Sequence, residues 1–278
     1  MNIGIVGLGL IGGSMAKSLS SRTAHTVFGI DINAETMMLA RLCGAIEGEL
    51  NDDTLKGCDM VIVALRPHTA VEWVKAHAPL IRRESLVIDL CGVKRTVCAA
   101  IAPIAAEYGF SYIGGHPMAG KERGRFINST DSLFDGASMI LTPFGDVDAT
   151  LPGRLDSFFT DIGFARVVYT IPEEHDRIIA YTSQLAHIVS NAYVRSPDAQ
   201  RQRGFSAGSF MDLTRVAYLD EDMWTELFLD NADFLTEQLE IFSENLAEYL
   251  DALRDRDAER LRDLLRDGRE KKSLAGGS

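Results

Sequence analysis

The sequence predicts a doubly wound α/β domain with a mostly parallel sheet, followed by an all-helical domain. Over the first 170 residues, short and continuously apolar runs rich in β-branched residues alternate with helical patterns. Continuous rather than alternating hydrophobicity is typical of parallel strands that are covered on both faces. After Pro172 the pattern is almost wholly helical. We therefore expect residues 1–170 to form one domain and residues 171–278 to form a second.

The first half is predicted to hold a series of short strands. They cover residues 2–7, 26–31, 59–65, 85–90, 110–115, 137–142 and 165–170. Helical patterns separate most of them, at residues 11–21, 34–43, 68–79, 94–107 and 152–162. Short connections between alternating strands and helices favour a parallel sheet with helices on both faces.

The second half is predicted to hold three helical stretches, at residues 173–195, 208–217 and 221–267. The last stretch carries leucines and aromatic residues at three- and four-residue spacing, with charges between them. A helix of that length must bury its apolar side against another surface. We therefore predict that this half forms the seam of a homodimer, with a monomeric bundle as the alternative.

Composition and charge exclude several classes of protein. A net charge of -12 argues against a nucleic-acid surface, which needs a basic stripe. The four cysteines include no C-x-x-C pair, so we predict reduced thiols and no metal site. The apolar runs are too short to cross a bilayer, and only Met1 precedes the first strand, which leaves no room for a signal peptide. These features predict a cytoplasmic protein without membrane or nucleic-acid partners.

The segment "GIVGLGLIGGSMA" places Gly7, Gly9 and Gly12 in a G-x-G-x-x-G pattern between the first strand and the first helix. In a Rossmann-like fold the first glycine permits the tight turn, the second lets a pyrophosphate approach, and the third lets helix and strand pack closely. The helix N-terminus, which includes Leu10 and Ile11, supplies unpaired N–H donors. The segment therefore predicts a dinucleotide site; a glycine-rich turn without nucleotide is the alternative.

An acidic residue follows the second strand. Asp31 lies 19 positions after Gly12, where a carboxylate accepts hydrogen bonds from the hydroxyls of an adenine ribose. It would repel a 2′-phosphate, and neither Ile32 nor Asn33 supplies a compensating cation. We therefore predict NAD rather than NADP as the cofactor.

The segment "YIGGHPMAGKERG" at residues 112–124 ends a predicted strand with a histidine. Ligands of dinucleotide domains bind beyond the carboxyl ends of the strands, where His116 is expected. A neutral imidazole there could accept a proton from a substrate hydroxyl while hydride leaves the same carbon. The alternative is a histidine that caps the turn before Pro117.

Two helical segments of the second half carry polar residues in informative places. Gln184, His187 and Asn191 have the spacing of one helix face in an otherwise apolar segment, which predicts either a ligand face or core polar groups bonded to each other. Arg215 follows a serine- and glycine-rich turn and could bind a carboxylate through two hydrogen bonds. Alternatively, it pairs with Asp212 or Asp222.

Together these segments resemble the prephenate/arogenate dehydrogenase family of tyrosine biosynthesis. The resemblance runs in order from "VGLGLIGGS" through "GGHPMAG" and "TSQLAH" to "DLTRVA" and "MWTELFLDN", over about the first 231 residues. It implies an NAD(P)-binding domain, a helical dimerisation domain, and oxidative decarboxylation of prephenate or arogenate by an oxidoreductase. We expect NAD-dependent oxidation of prephenate.

The resemblance also implies roles for single residues. His116 matches the family histidine that bonds the ring hydroxyl, and Arg215 matches the arginine that holds a substrate carboxylate. His187 matches a second histidine of the substrate pocket, and Glu122 matches an acidic position beside it. Gln184 stands where some members have a histidine, and we expect it in the substrate site. The chain departs from the family at Gly92, where many members have a serine.

Three alternatives remain at this stage. An arogenate dehydrogenase would differ only in how the pocket reads the substrate side chain. A β-hydroxyacid dehydrogenase would need a catalytic lysine in the helical half, yet residues 172–269 contain none. A non-catalytic, dimeric NAD-binding module would fit the absent serine, but not the presence of His116, His187 and Arg215.

Overall fold

The computed structural model describes residues 1–121, 123–143 and 150–276. Within them, eight strands form one sheet in the order β3-β2-β1-β4-β5-β6-β7-β8. The first six strands are parallel, β7 runs antiparallel to β6, and β8 is parallel to β7. This order reverses direction between β1 and β4, as in doubly wound dinucleotide-binding folds. The predicted fold class is confirmed.

The strands have the following bounds: β1 Asn2–Val6, β2 Thr26–Ile30, β3 Gly48–Glu49, β4 Met60–Val63, β5 Leu86–Asp89, β6 Ser111–Pro117, β7 Ser138–Pro143 and β8 Arg166–Tyr169. The sequence prediction missed β3, which has two residues. It also ended β6 too early, because His116 lies inside this strand and is paired with Ile140 of β7.

The helices of the first part are α1 Leu10–Arg22, α2 Ala34–Leu42, α3 Asp52–Leu55, α4 Pro67–His77, α5 Arg95–Tyr108 and α6 Leu151–Asp161. Those that follow are α7 Pro172–Ile179, a π-helical turn Ala180–Leu185, α8 Ala186–Val194, α9 Gly208–Thr214, α10 Glu221–Asp230, α11 Ala232–Arg254 and α12 Ala258–Ala275. The stretch predicted to be helical over residues 221–267 is helical, but it is divided among α10, α11 and α12.

The sheet is covered on both faces, because neighbouring residues of one strand point into different apolar cores. Ile3 and Ile5 of β1 belong to one core, and Val6 belongs to the other. Ile62 and Val63 of β4 divide in the same way. Burying one such side chain stabilises the fold by about 1.5–3 kcal/mol, so the continuous apolar runs are explained by burial on both sides.

The chain forms two compact units, of which the first spans Met1–Asn231 and the second begins at Ala232. In the second unit, α11 ends at Arg254, and Arg256 has a left-handed backbone with a φ of 53°. Asp257 then caps α12, since its carboxylate accepts from the amides of Glu259 and Arg260. The predicted boundary at residue 170 remains a prediction. None of the described helices is long and apolar enough to cross a membrane.

A buried ion pair lies at the carboxyl end of β5. The side chains of Lys94 and Asp89 are both 0% exposed and in direct contact. The Lys94 ammonium also donates to the Gly115 carbonyl oxygen over 2.6 Å, and the Tyr112 hydroxyl donates to Asp89 over 2.7 Å. Burial opposes the charge of Lys94, but the Asp89 carboxylate and the nearby Cys91 and Cys98 together outweigh it, so the pKa of Lys94 is raised.

We expect Lys94→Met to lower the free energy of unfolding by about 3–5 kcal/mol, because it leaves the buried Asp89 carboxylate without its cation. The double variant Lys94→Met/Asp89→Asn should lose less, since no buried charge remains unpaired. Urea unfolding of both variants and the wild type measures the difference. Equal losses in the single and double variants would contradict a stabilising charge pair.

Candidate active site

The glycine-rich turn between β1 and α1 has the geometry of a phosphate cradle. Gly7 has a φ of +84°, which favours glycine. A Cβ at position 12 would lie 1.9 Å from the Gly7 carbonyl oxygen, so the third glycine is needed for close packing. A Cβ at Gly9 would meet nothing within 4 Å, so this glycine borders open space. The amides of Leu10 and Ile11 begin α1 beside that space and have no carbonyl four residues earlier in the helix.

Asp31 lies at the end of β2, beside this turn. Its carboxylate accepts from the amides of Leu8 and Asn33 over 2.8 and 2.9 Å, which fixes its orientation. It lines a cleft of about 540 Å³ that Arg41 also lines. Arg41 pairs with Glu49 over 2.9 Å, so its charge is already compensated. These residues fit a dinucleotide whose ribose hydroxyls face Asp31.

Three side chains, joined by hydrogen bonds, form a row that ends at His116. The Nδ1 atom of His116 lies 2.9 Å from Nε2 of His175, and Nδ1 of His175 lies 2.7 Å from Oδ1 of Asp176. His175 is 3% exposed and Asp176 is 0% exposed, whereas His116 is only partly buried. The row therefore leads from a buried carboxylate to an imidazole at the carboxyl edge of the sheet.

The direction of these hydrogen bonds follows from the carboxylate. An ionised Asp176 only accepts, so His175 must donate from Nδ1 and accept at Nε2. His116 then donates from Nδ1, which leaves the lone pair of its Nε2 atom available. This arrangement defines a proton acceptor with a fixed tautomer, and it resembles the role of a carboxylate that orients a catalytic histidine.

The charge state of His116 suits a base. Burial lowers its pKa well below the ordinary value of 6.5, and His175 and Lys94 add repulsion to an imidazolium. Burial also lowers the pKa of His175, against the opposing effect of Asp176. Both imidazoles are therefore neutral at neutral pH.

Asp176 is held by the start of α5. Its carboxylate accepts from the amides of Lys94 and Arg95 over 2.8 and 2.9 Å and from Nε of Arg95 over 3.3 Å. Its carbonyl oxygen accepts from the Asn231 side chain over 2.8 Å. Asn231 also donates to Oε1 of Gln184. Nε2 of Gln184 in turn donates to the Leu227 carbonyl oxygen over 2.9 Å. The structure thus places Gln184, 2% exposed, in a buried network behind the histidine chain.

The π-helical turn over Ala180–Leu185 changes the direction in which later side chains point. His175 and His187 are twelve residues apart, a rotation of about 120° in a regular α-helix. One extra residue in a π-turn reduces this rotation to about 20°. The turn therefore brings the two histidines close to one face of the α7–α8 segment, and such turns are frequent at functional sites.

His187 belongs to a second cluster. Its Nδ1 atom lies 3.1 Å from the Val216 carbonyl oxygen, and its ring lies 4.0 Å from that of Trp224, measured between centroids. Burial and the charge of Arg215 lower the pKa of His187. Arg215, predicted to bind a carboxylate, is exposed and close enough to His187 to influence its charge. His187 therefore bonds the residue that directly follows Arg215 in the sequence.

Helix α10 connects the two clusters. Trp224 and Leu227 are three residues apart on this helix and therefore lie on one face. A Cβ at Gly92 would lie 3.3 Å from the Leu227 side chain and 3.9 Å from Nε2 of His116. A serine at this position would therefore point toward the available nitrogen of His116. Gly92 supplies no hydroxyl here, and the Leu227 side chain lies next to this position.

The polar side chains predicted to share one helix face do form hydrogen bonds, but their shared partners are backbone carbonyl oxygens rather than one another. Asn191 donates to the Ala217 carbonyl oxygen over 3.1 Å, and His187 and Gln184 likewise bond to backbone carbonyls of other segments. Glu122 lies outside the described residues, so its predicted role stays a prediction. Its neighbour Lys121 donates to the Asn128 carbonyl oxygen over 2.9 Å.

Sequence reasoning missed His175 and Asp176. They adjoin in "EEHDRI" at the start of a helix, where acidic residues are common and carry no specific signal. Their contacts span 59 residues to His116 and 82 to Lys94. The only local hint is the position of a histidine next to an aspartate on a helix predicted to be buried.

The fold and the glycine turn are those of a dinucleotide-dependent dehydrogenase. Two family models match the chain: "Prephenate dehydrogenase, nucleotide-binding domain" over residues 15–169 and "Prephenate dehydrogenase, dimerization domain" over residues 171–267. Together they cover more than half of the sequence. The chain therefore belongs to the prephenate dehydrogenase family, and the predicted family is confirmed.

Comparisons with individual relatives support the same family. The chain is 28% identical to a prephenate dehydrogenase of Bacillus subtilis over 267 residues, or 92% of this chain and 71% of the relative. It is 25% identical to a cyclohexadienyl dehydrogenase of Zymomonas mobilis, over 94% of this chain and 91% of the relative. A crystal structure of prephenate dehydrogenase from A. aeolicus, with hydroxyphenyl propionate and NAD+, superposes with a TM-score of 0.84 at 28% identity and covers 99% of this chain and 98% of its own.

Two glycine variants separate cofactor binding from folding. We expect Gly9→Ala to fold with an unchanged melting temperature, because its Cβ enters open space, yet to bind NAD at least about tenfold more weakly, a loss of about 1.4 kcal/mol. Gly12→Ala should also lower the melting temperature, because its Cβ meets the Gly7 carbonyl oxygen. Calorimetric titration and thermal unfolding measure the two effects. Unchanged NAD affinity in Gly9→Ala would remove this turn from the cofactor site.

Proposed function

We propose that the chain catalyses the NAD-dependent oxidative decarboxylation of prephenate to 4-hydroxyphenylpyruvate, a step of tyrosine biosynthesis. The observation that carries the proposal is the hydrogen-bond chain from Asp176 through His175 to His116. It leaves a neutral Nε2 acceptor at the edge of a dinucleotide-binding sheet. Membership of the prephenate dehydrogenase family supplies the substrate.

The chemistry of prephenate suits one base. Its ring carries a hydroxyl at C4 and a carboxylate on the opposite ring carbon. NAD held at the turn of Gly7, Gly9 and Gly12 would supply the acceptor for the hydride that leaves C4. His116 Nε2 takes the hydroxyl proton, so that C4 becomes ketone-like, and loss of CO2 then makes the ring aromatic. Aromatisation renders the step effectively irreversible.

The surroundings of His116 favour this proton transfer. Partial burial and the Lys94 charge disfavour a resting imidazolium, so the base is ready at neutral pH. His175 fixes the ring and its tautomer, so no reorientation is needed before the proton moves. The Lys94 ammonium also bonds the Gly115 carbonyl oxygen next to His116, which anchors the end of β6.

We assign Arg215 to a carboxylate of the substrate, with His187 as a neutral hydrogen-bonding partner. The bond of His187 to the Val216 carbonyl oxygen, next to Arg215, and the tilted contact of its ring with Trp224 support a pocket with one cationic wall. Glu122 is proposed beside this pocket on the family resemblance alone. For Gln184 the bonds to Asn231 and Leu227 favour support of the pocket over contact with substrate.

NAD is proposed over NADP because the Asp31 carboxylate would repel a 2′-phosphate. The nearby Arg41 is paired with Glu49 and offers no uncompensated cation. The glycine turn, with Gly7, Gly9 and Gly12, would hold the pyrophosphate at the start of α1, where the amides of Leu10 and Ile11 lie.

We also propose that the chain forms a homodimer through its C-terminal helices. Helix α11 carries apolar side chains that are about half exposed, of which Leu246, Leu250 and Leu253 lie on one face. A face of this kind on a long helix is typical of an interface. The match of residues 171–267 to a dimerization domain supports it.

Arogenate is the second candidate substrate. It differs from prephenate in carrying an amino group where prephenate has a keto group, and the relatives include a cyclohexadienyl dehydrogenase. Parallel kinetics with prephenate and arogenate, each with NAD and NADP, followed at the absorbance of the reduced nicotinamide, distinguish the four combinations. The proposal fails if no combination reduces the cofactor.

We expect His116→Asn to lower kcat/KM by about 10²–10⁴, because the base is lost. His175→Phe should cause a smaller loss, since His116 remains but its tautomer is no longer fixed. The acid limb of the wild-type kcat/KM profile should lie below pH 6.5, because a depressed pKa keeps His116 neutral until lower pH. Measurements of kcat/KM for the wild type and both variants from pH 5 to 9 check all three expectations. An acid limb above pH 7 would point to another base.

We expect Arg215→Ala to raise KM for prephenate by at least about tenfold, the equivalent of 1.4 kcal/mol, with a smaller effect on kcat, because a charge-assisted contact is removed. Arg203→Ala is the matched control, since Arg203 is another exposed arginine of the same region. Steady-state kinetics at saturating NAD make the comparison. Equal KM values in the two variants would remove Arg215 from the substrate site.

A further inference from the structure

Helix α10 is tied to the loop that follows β4. Arg66 pairs with Asp220 over 3.1 Å at the start of α10, and the amide of His68 donates to Oε1 of Glu226 over 2.8 Å. The imidazole of His68 extends from the first turn of α4 toward the same helix, where it faces Glu226 and Asp230. None of these residues takes part in the reaction proposed above.

The three side chains have the spacing of metal ligands. Glu226 and Asp230 are four residues apart and therefore lie on one face of α10. Nε2 of His68 is 3.4 Å from Oδ1 of Asp230 and 3.9 Å from Oε1 of Glu226, and the three donor atoms lie within 4.8 Å of one another. Both distances are long for a direct hydrogen bond. Two ligands that share an ion at about 2.0–2.2 Å are about 3.0–3.6 Å apart, which is close to these values.

A second observation concerns the second carboxylate oxygen of Asp230. Its side chain is only 11% exposed, and its Oδ2 atom is buried without a hydrogen-bond partner, the only such side-chain atom in the described part of the chain. A single Nε2–H of His68 cannot satisfy the oxygens of both carboxylates, so Oδ2 of Asp230 is left without a donor. A divalent cation would compensate both carboxylates.

We propose that His68, Glu226 and Asp230 bind a divalent transition-metal ion of the zinc type. One imidazole nitrogen with two carboxylate oxygens suits Zn²⁺, whereas Mg²⁺ and Ca²⁺ prefer oxygen ligands alone. The bond from the His68 amide to Glu226 orients that carboxylate, as outer contacts do in metal sites. The ion stabilises the packing of α10 on the β4–α4 loop and takes no part in proton transfer.

Zinc titration of the full chain, stripped with EDTA and dialysed, tests the site by calorimetry. Wild type should bind one Zn²⁺ per chain. In both His68→Ala and Asp230→Asn this binding should be lost, or weakened at least about tenfold. His77→Ala is the matched control, because it removes another imidazole from α4 but lies outside the cluster. It should keep the wild-type affinity. Mg²⁺ in place of Zn²⁺ should give no comparable binding.

Thermal unfolding gives a second measure that does not depend on the binding heat. Circular dichroism in EDTA establishes that each variant folds, and added Zn²⁺ should then raise the melting temperature of wild type and His77→Ala alone. The proposal is overturned if wild type binds no Zn²⁺ at about 100 μM. It is also overturned if His68→Ala and Asp230→Asn bind as wild type does, which would place the ion elsewhere, for example at the His116–His175 pair.

Discussion

The site depends on a single buried carboxylate. Asp176 accepts hydrogen bonds from the amides of Lys94 and Arg95 at the start of α5, a helix that has no side-chain cap of its own. Burial raises the pKa of Asp176, but the bonds from His175 and these amides outweigh it, so the pKa is lowered overall. The group therefore remains an acceptor at neutral pH. It docks α7 on α5 and at the same time sets the hydrogen-bond direction that leaves His116 Nε2 available.

The sheet topology brings the charged groups together. Parallel strands end at one edge, so the end of β5, with Asp89 and Lys94, lies beside the end of β6, with His116. Local charge then differs from the total of -12, because Lys94 acts on His116 at close range. Helix α10 completes this edge through Leu227, which packs next to Gly92 and accepts from Gln184. The proposed base and the proposed carboxylate pocket thus share one supporting helix.

Much of the fold could be predicted, because strand and helix periodicities are local. The apolar runs identified seven of the eight described strands, and the missed β3 has only two residues, too few for a pattern. The helical stretch predicted over residues 221–267 is interrupted at Asn231 for a different reason. Asn231 is 0% exposed and uses its side chain to bond Asp176 and Gln184, and these bonds occur where α10 ends. The residue pattern of the helix itself does not predict such an interruption.

The sequence by itself determined the doubly wound fold, the glycine turn with Asp31, and the family, because these rest on short motifs whose spacing is dictated by backbone geometry. It also pointed to His116, since ligands of dinucleotide domains bind beyond the carboxyl ends of the strands, where this histidine was expected. Only the tertiary structure decided that His175 and Asp176 form a hydrogen-bonded row with this proposed base. It likewise decided that His68 meets Glu226, 158 residues away. Such contacts join side chains from distant elements, and one sequence carries no periodic signal of which elements will pack together.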